Sequence, residues 1–303
     1  MFVATDLSLE RIEAAGTEID PVFLATPQFV DERLSAAAGR EVVVKVETLN
    51  PIGSFKGRGT WQLAGVLDPA RTWVCATAGN FGQGLAYAAR KRGASVHAFV
   101  SPRVPPAKSA RMRDLGAIVE ESAQPGAAAR EYVAAGDDRL LVVDGLYPEM
   151  AEGAGTIGVE LEAAGPFDVA VVQVGDGALI AGVARWLKAA MPQTRIVGVC
   201  ASGAPAMALS FAAGHTVSTP GTDTIAAAMA VAEPVPESVT RVLALVDEIV
   251  LVDDDELRSA QRLIAESLGV LVEPAGAAGV AALARYRDQL PAGRAAVLLT
   301  GAE

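Results

Sequence analysis

Asn50-Pro51-Ile52-Gly53-Ser54-Phe55-Lys56-Gly57-Arg58-Gly59 puts one lysine in a glycine-rich turn. Upstream, Val42-Val43-Val44-Lys45-Val46-Glu47 is short, β-branched and bounded, the pattern of a strand. Downstream, Thr60-Trp61-Gln62-Leu63-Ala64-Gly65-Val66-Leu67 has the spacing of a helix with its apolar face turned inward. A lysine at such a junction can be held still, partly dry and facing a cleft. Those conditions make an amine a nucleophile for carbonyl carbon, so Lys56 is the first candidate catalytic residue. The bland alternative is a solvated surface lysine. Two further loops of matching chemistry weigh against it.

The alternation of strand and helix continues along the chain. Strand patterns occupy residues 42–47, 72–76, 95–100, 117–120, 140–143, 169–174, 195–200, 248–252 and 295–300. Helical patterns lie at 82–92, 106–115, 126–135, 178–190, 254–267 and 275–287. This order predicts an α/β fold with mostly parallel sheets covered by helices. The turn Asp144-Gly145-Leu146-Tyr147-Pro148-Glu149 is a weak boundary mark between two periodic blocks.

The second loop, Ala76-Thr77-Ala78-Gly79-Asn80-Phe81-Gly82-Gln83-Gly84, follows an apolar strand and opens a helix. Amides at a helix start point outward and favour anions, and Thr77 and Asn80 add directional donors. Ordinary turn and N-cap chemistry uses the same residue types. The third loop, Val174-Gly175-Asp176-Gly177-Ala178-Leu179-Ile180-Ala181-Gly182, again joins a strand to a helix through small residues. Backbone N–H groups there can approach phosphate oxygens. A carboxylate at Asp176 would repel a phosphate, so its side chain is expected to point away while its N–H donates. A dinucleotide loop is the competing reading, but the third glycine is displaced and no acidic residue is clearly placed for a ribose.

Composition sets the outer bounds. The 303 residues suffice for one large or two medium domains. They are 51% apolar but 5% aromatic, as in α/β proteins whose buried strands are continuous apolar runs. A net charge of −11 argues against a basic nucleic-acid surface. Cys75 and Cys200 read as small core residues without metal spacing. No signal pattern opens the chain and no run of about 18 apolar residues occurs, so no membrane span is expected and a cytoplasmic setting is the default. His97 falls in a strand and His215 in a loop, and neither is assigned a catalytic role.

From Lys45 to Gly59 the sequence closely resembles the cofactor-lysine segment of the serine/threonine dehydratases. These are fold-type II pyridoxal phosphate enzymes of the tryptophan synthase β superfamily. The resemblance runs from about Thr26 to the last residue. It implies two three-layer α/β/α domains with the cofactor in the cleft between them. A large domain would comprise residues 1–50 and 148–303, and a small substrate-side domain residues 51–147. It implies pyridoxal 5'-phosphate bound as a Schiff base on Lys56, with Phe55, Asn80, Gly175, Asp176, Gly177, Ala178, Leu179 and Thr300 around the cofactor. Ser54, Thr77, Ala78, Gly79, Asn80 and Phe81 would meet a small amino-acid substrate, and Glu273 is a candidate cleft carboxylate. Thr300 stands where relatives place a hydroxyl against the pyridine nitrogen. Family members are often homodimers.

The activity implied is α,β-elimination from a β-hydroxy amino acid, giving a 2-oxo acid and ammonia. Two alternatives stay open: a β-replacement synthase using the same aminoacrylate, and a pyridoxal-phosphate-binding protein without turnover. Several departures motivate them. Relatives carry a tetraglycine where Asp176 and Ala178 stand, Asp-Gly where Ala227-Ala228 stands, Gly-Asn where Ala302-Glu303 stands, and His where Phe81 stands. Racemisation is disfavoured, because racemising relatives place a serine at the position of Ala78.

Overall fold

In the computed structural model, which describes residues 5–303, ten strands form two sheets. In chain order they are β1 Gln28–Val30, β2 Val42–Val46, β3 Thr72–Thr77, β4 Ser95–Val100, β5 Ile118–Glu121, β6 Arg139–Leu141, β7 Val169–Gln173, β8 Arg195–Ala201, β9 Glu248–Val252 and β10 Ala295–Leu299. The larger sheet has the order β1-β2-β10-β7-β8-β9, and the smaller has β5-β4-β3-β6. Every strand pairing is parallel except β1 with β2. Helices cover both faces, so β2, β7 and β10 are buried at every position. Their runs of valine, alanine and leucine follow from that double burial.

The small sheet draws all its strands from residues 72–141, while the large sheet takes strands from both sides of that stretch. Hydrogen bonds stitch the lysine turn to the end of β10. Phe55 N–H donates to Thr300 O at 3.1 Å, and Ala302 N–H donates to Gly53 O at 2.8 Å. The C-terminus and the Lys56 loop are therefore neighbours although they lie far apart in sequence.

The helix after that loop spans Lys56–Val66, so it begins four residues earlier than its pattern predicts. Gly57 and Gly59 look like turn residues in sequence but are helical. Each costs about 1 kcal/mol of helix propensity relative to alanine. The cost is offset by close approach. A Cβ on Gly57 would lie 2.3 Å from the Phe23 ring, and one on Gly59 would lie 2.5 Å from the Met150 carbonyl oxygen. Met150 belongs to the Pro148–Glu162 helix, where the sequence pattern shows only a turn and unassigned chain. Strand β1 and helices Leu9–Glu18, Glu32–Ala38, Ala206–Ala213 and Pro236–Leu245 are likewise additions to the sequence-based expectation.

Two residues past Lys56, Arg58 is wholly buried. Its Nε and Nη2 donate to the two oxygens of Glu47, each at 2.9 Å. Nη1 donates to Glu160 at 2.6 Å and to Thr156 at 2.9 Å. Lys45, buried in β2, donates to Thr26 O at 2.7 Å and to Glu160. Burial alone would raise the Glu160 pKa, but the hydrogen bond and charge of Arg58, together with Lys45, hold it below the usual value. This network fastens the base of the lysine helix to β2 and to the Pro148–Glu162 helix.

Candidate active site

The carboxyl ends of strands in both sheets open onto a cavity of about 320 Å³, the position where open α/β sheets bind ligands. It is lined by Lys56 and Phe55, by 77–81 after β3, by 142–144 after β6, by 175–179 after β7, and by Glu273 and Thr300. All the expected site residues except Ser54 line it. Ser54 is fully buried beneath the turn, and its Oγ accepts the Lys56 N–H at 3.2 Å. It shapes the start of the lysine helix rather than facing a substrate.

Lys56 Nζ donates to Asp144 Oδ2, and both side chains are 12% exposed. The ammonium lies 5.1 Å from the Phe55 ring centre and 5.9 Å from that of Phe81. Phe81 thus supplies an aromatic face to the ammonium. Asp144 Oδ1 is buried and has no partner among the described residues. Asp176 is expected from sequence to turn its side chain aside, but its carboxyl lies against Asp144 and within the field of Lys56. The neighbouring backbone is fixed by Gly177 at φ 93° and by the Ser238 hydroxyl, which donates to the Asp176 carbonyl. Burial, then the charge of Asp144, pushes the Asp176 carboxyl up to about 7.

That shift has a sign that can be measured. The folded chain binds the Asp176 proton more tightly than the unfolded chain does. Stability therefore falls as pH rises from the ordinary carboxylate range through about 7, then levels off. Asp176→Asn removes this contribution. The difference in melting temperature between variant and wild type should grow in the variant's favour across that window, and two parallel pH profiles would contradict the assignment.

After β3, Thr77 Oγ1 accepts from Gly79 N at 3.0 Å and from Gly82 N at 3.1 Å. With its oxygen engaged, its own hydrogen is the donor left for the cavity. Gly79, at φ 125°, lets Lys108 cross closely, since a Cβ there would lie 2.6 Å from Lys108 Cδ. Lys108 Nζ donates to Glu273, which also accepts from Asn80 Nδ2 at 2.7 Å. Glu273 is a cleft carboxylate tied from two sides. Sequence reasoning missed Asp144, Lys108 and Gln173. In sequence Asp144 reads as turn, Lys108 as an ordinary helix cation, and Gln173 as part of an apolar strand.

The residues present fit pyridoxal phosphate. Lys56 offers an amine inside the cavity. The Ala178–Ala190 helix begins without a side-chain cap, behind Gly175 and Gly177. A Cβ on Gly175 would lie 2.4 Å from Ala228 O, so the backbone there packs closer than other residues permit. The raised proton affinity of Asp176 keeps its carboxyl neutral below neutral pH, which removes the expected repulsion of a phosphate. Cys75 and Cys200 are free and buried, and burial pushes both thiols up to about 12, so neither is a nucleophile here. His97 is buried in β4, stacked on Phe99 with ring centres 4.7 Å apart, and His215 is exposed. Among the described residues no group of His, Cys, Asp and Glu could hold a metal, and no helix is long and apolar enough to cross a membrane.

Comparison with known proteins agrees with this geometry. A putative threonine dehydratase of Sinorhizobium fredii is 33% identical over 313 residues, covering 98% of this chain and 92% of the relative. A phenylserine dehydratase of Ralstonia pickettii is 33% identical, with 91% and 87% covered. Among solved structures, a T.th. threonine deaminase superposes with a TM-score of 0.90 at 29% identity, covering 98% of each chain. The family model for pyridoxal-phosphate dependent enzymes matches residues 19–301, and this chain belongs to that family.

Proposed function

We propose that this chain is an ammonia-lyase that converts a β-hydroxy amino acid into a 2-oxo acid and ammonia. The observation that carries the reading is the Lys56 amine, held by Asp144 between two aromatic rings in the cavity. Bound pyridoxal phosphate supplies an aldehyde for covalent capture of amines and a conjugated ring that withdraws electrons from the α-carbon. Lys56 holds the cofactor at rest and is the base that takes the α-proton. Amides at the start of the Ala178–Ala190 helix, with the Asp176 N–H, bind the phosphate. The Thr77 hydroxyl and the amides opening the Asn80–Arg92 helix receive the substrate carboxylate. Thr300 would be the hydroxyl that faces the ring nitrogen. Ala78 has no proton to give from the opposite face, which supports elimination over racemisation.

Ala227, Ala228, Met229, Ala230 and Val231, together with Leu141 and Val143, give the cavity an apolar lining. It suits a β-substituent larger than that of serine, and the phenylserine dehydratase relative supports that direction. Phenylserine should exceed L-serine in kcat/KM by at least about tenfold. Oxo-acid release from a panel of L-serine, L-threonine and phenylserine tests this. Silence on every substrate would sink the lyase reading, and trapping of product by an added thiol with little oxo acid would favour the synthase. The same reading makes the enzyme a cytoplasmic homodimer, which sedimentation of the purified protein checks for assembly.

A further inference from the structure

Gln173 ends β7 beneath Thr300 and is buried. Its Nε2 lies within hydrogen-bond distance of three acceptors, Ala275 O at 3.0 Å, Leu298 O at 3.1 Å and Thr300 Oγ1 at 2.7 Å, so that one of its two hydrogens goes to Thr300 and the two carbonyls share the other. Two carbonyl oxygens fix which way the amide faces, because a flipped Gln173 would aim its own oxygen at both of them. Its Oε1 is buried without a partner among the described residues, so the side chain is committed to donating.

We infer that Gln173 is a positioning residue that sets the hydrogen-bond polarity of Thr300. One lone pair of Thr300 Oγ1 is filled by the first Gln173 hydrogen, Ala275 O also accepts the Ala278 N–H, and the second Gln173 hydrogen remains for Leu298 O. The Thr300 proton is left the cavity side, where it is a donor. A donor at that point holds the cofactor's ring nitrogen unprotonated. Without Gln173, the Leu298 carbonyl loses this donor and competes for the Thr300 hydrogen, whereas Ala275 O keeps the Ala278 N–H. The hydroxyl then turns a lone pair outward and stabilises a protonated ring. The inference rests on Thr300 meeting the ring nitrogen, as proposed above.

Nitrogen-15 NMR of the holoenzyme loaded with ring-labelled pyridoxal phosphate tests it without reference to turnover. In wild type the ring resonance should hold the unprotonated position across the neutral pH range. In Gln173→Leu it should move to the protonated position. A protonated ring in wild type, or a folded Gln173→Leu variant with the wild-type resonance, overturns the inference. Thr300→Val separates the two layers. If it leaves the ring resonance unmoved, the placement of Thr300 fails. If it moves the resonance while Gln173→Leu does not, the role of Gln173 alone fails. Should Gln173→Leu not fold, the side-chain amide of Gln173 decides: Thr300→Val must shift one of its two proton resonances, and no shift overturns the inference.

Discussion

Lys56→Ala lowers turnover on the order of 10⁴-fold or more, because one amine provides both the covalent attachment and the base. The loss is chemical and not a failure to fold, and the ion pair with Asp144 supplies the control. Alanine removes the cation paired with Asp144 and felt by Asp176, leaving the two carboxyls without that counter-charge. The alanine variant is therefore inactive and also less stable as pH rises. Lys56→Arg keeps a positive charge beside Asp144, but a guanidinium stays protonated and forms no imine. It is expected to be equally inactive yet close to wild type in thermal unfolding. Activity retained by either variant would remove Lys56 from the mechanism.

Arg58→Ala is expected to destabilise the fold by about 3–5 kcal/mol, the usual result of removing one partner from a buried ion pair. Glu47 is fully buried and accepts two hydrogen bonds from Arg58, so the truncation strands a carboxylate that water cannot reach. Glu160 keeps Lys45 and fares better. The measurement is the urea midpoint of the cofactor-free protein. Arg58→Lys restores the charge without the fork and should recover part of the loss. An Arg58→Ala midpoint equal to wild type would mean the network contributes nothing to stability. Because Arg58 lies in the first turn after Lys56, the same variant should also loosen the lysine.

Much of this arrangement is legible in local sequence. Strands β4 and β9 and the helix Ala178–Ala190 match their patterns residue for residue, because β-branched and alanine-rich runs announce buried elements without help from distant chain. The loops carrying Lys56, Thr77 and Gly175 stand out because each joins a strand to a helix through small residues. The early start of the lysine helix does not. Gly57 and Gly59 are there to admit Phe23 and Met150, and the sequence at 56–59 holds no trace of those neighbours. Asp144, Lys108 and Gln173 escape notice for one reason. Their partners lie 88, 165 and 127 residues away, so only the folded chain brings them together. The orientation of Asp176 departs from expectation because the repulsion assumed a charge that burial beside Asp144 suppresses.

The central claim is covalent chemistry at one side chain. The chain has five lysines, Lys45, Lys56, Lys91, Lys108 and Lys188. Purified protein loaded with pyridoxal phosphate, reduced with borohydride and digested should yield a single phosphopyridoxyl adduct in the mass spectrum, on the peptide containing Lys56. Absence of any adduct, or its appearance on another lysine while Lys56 stays free, would contradict the account.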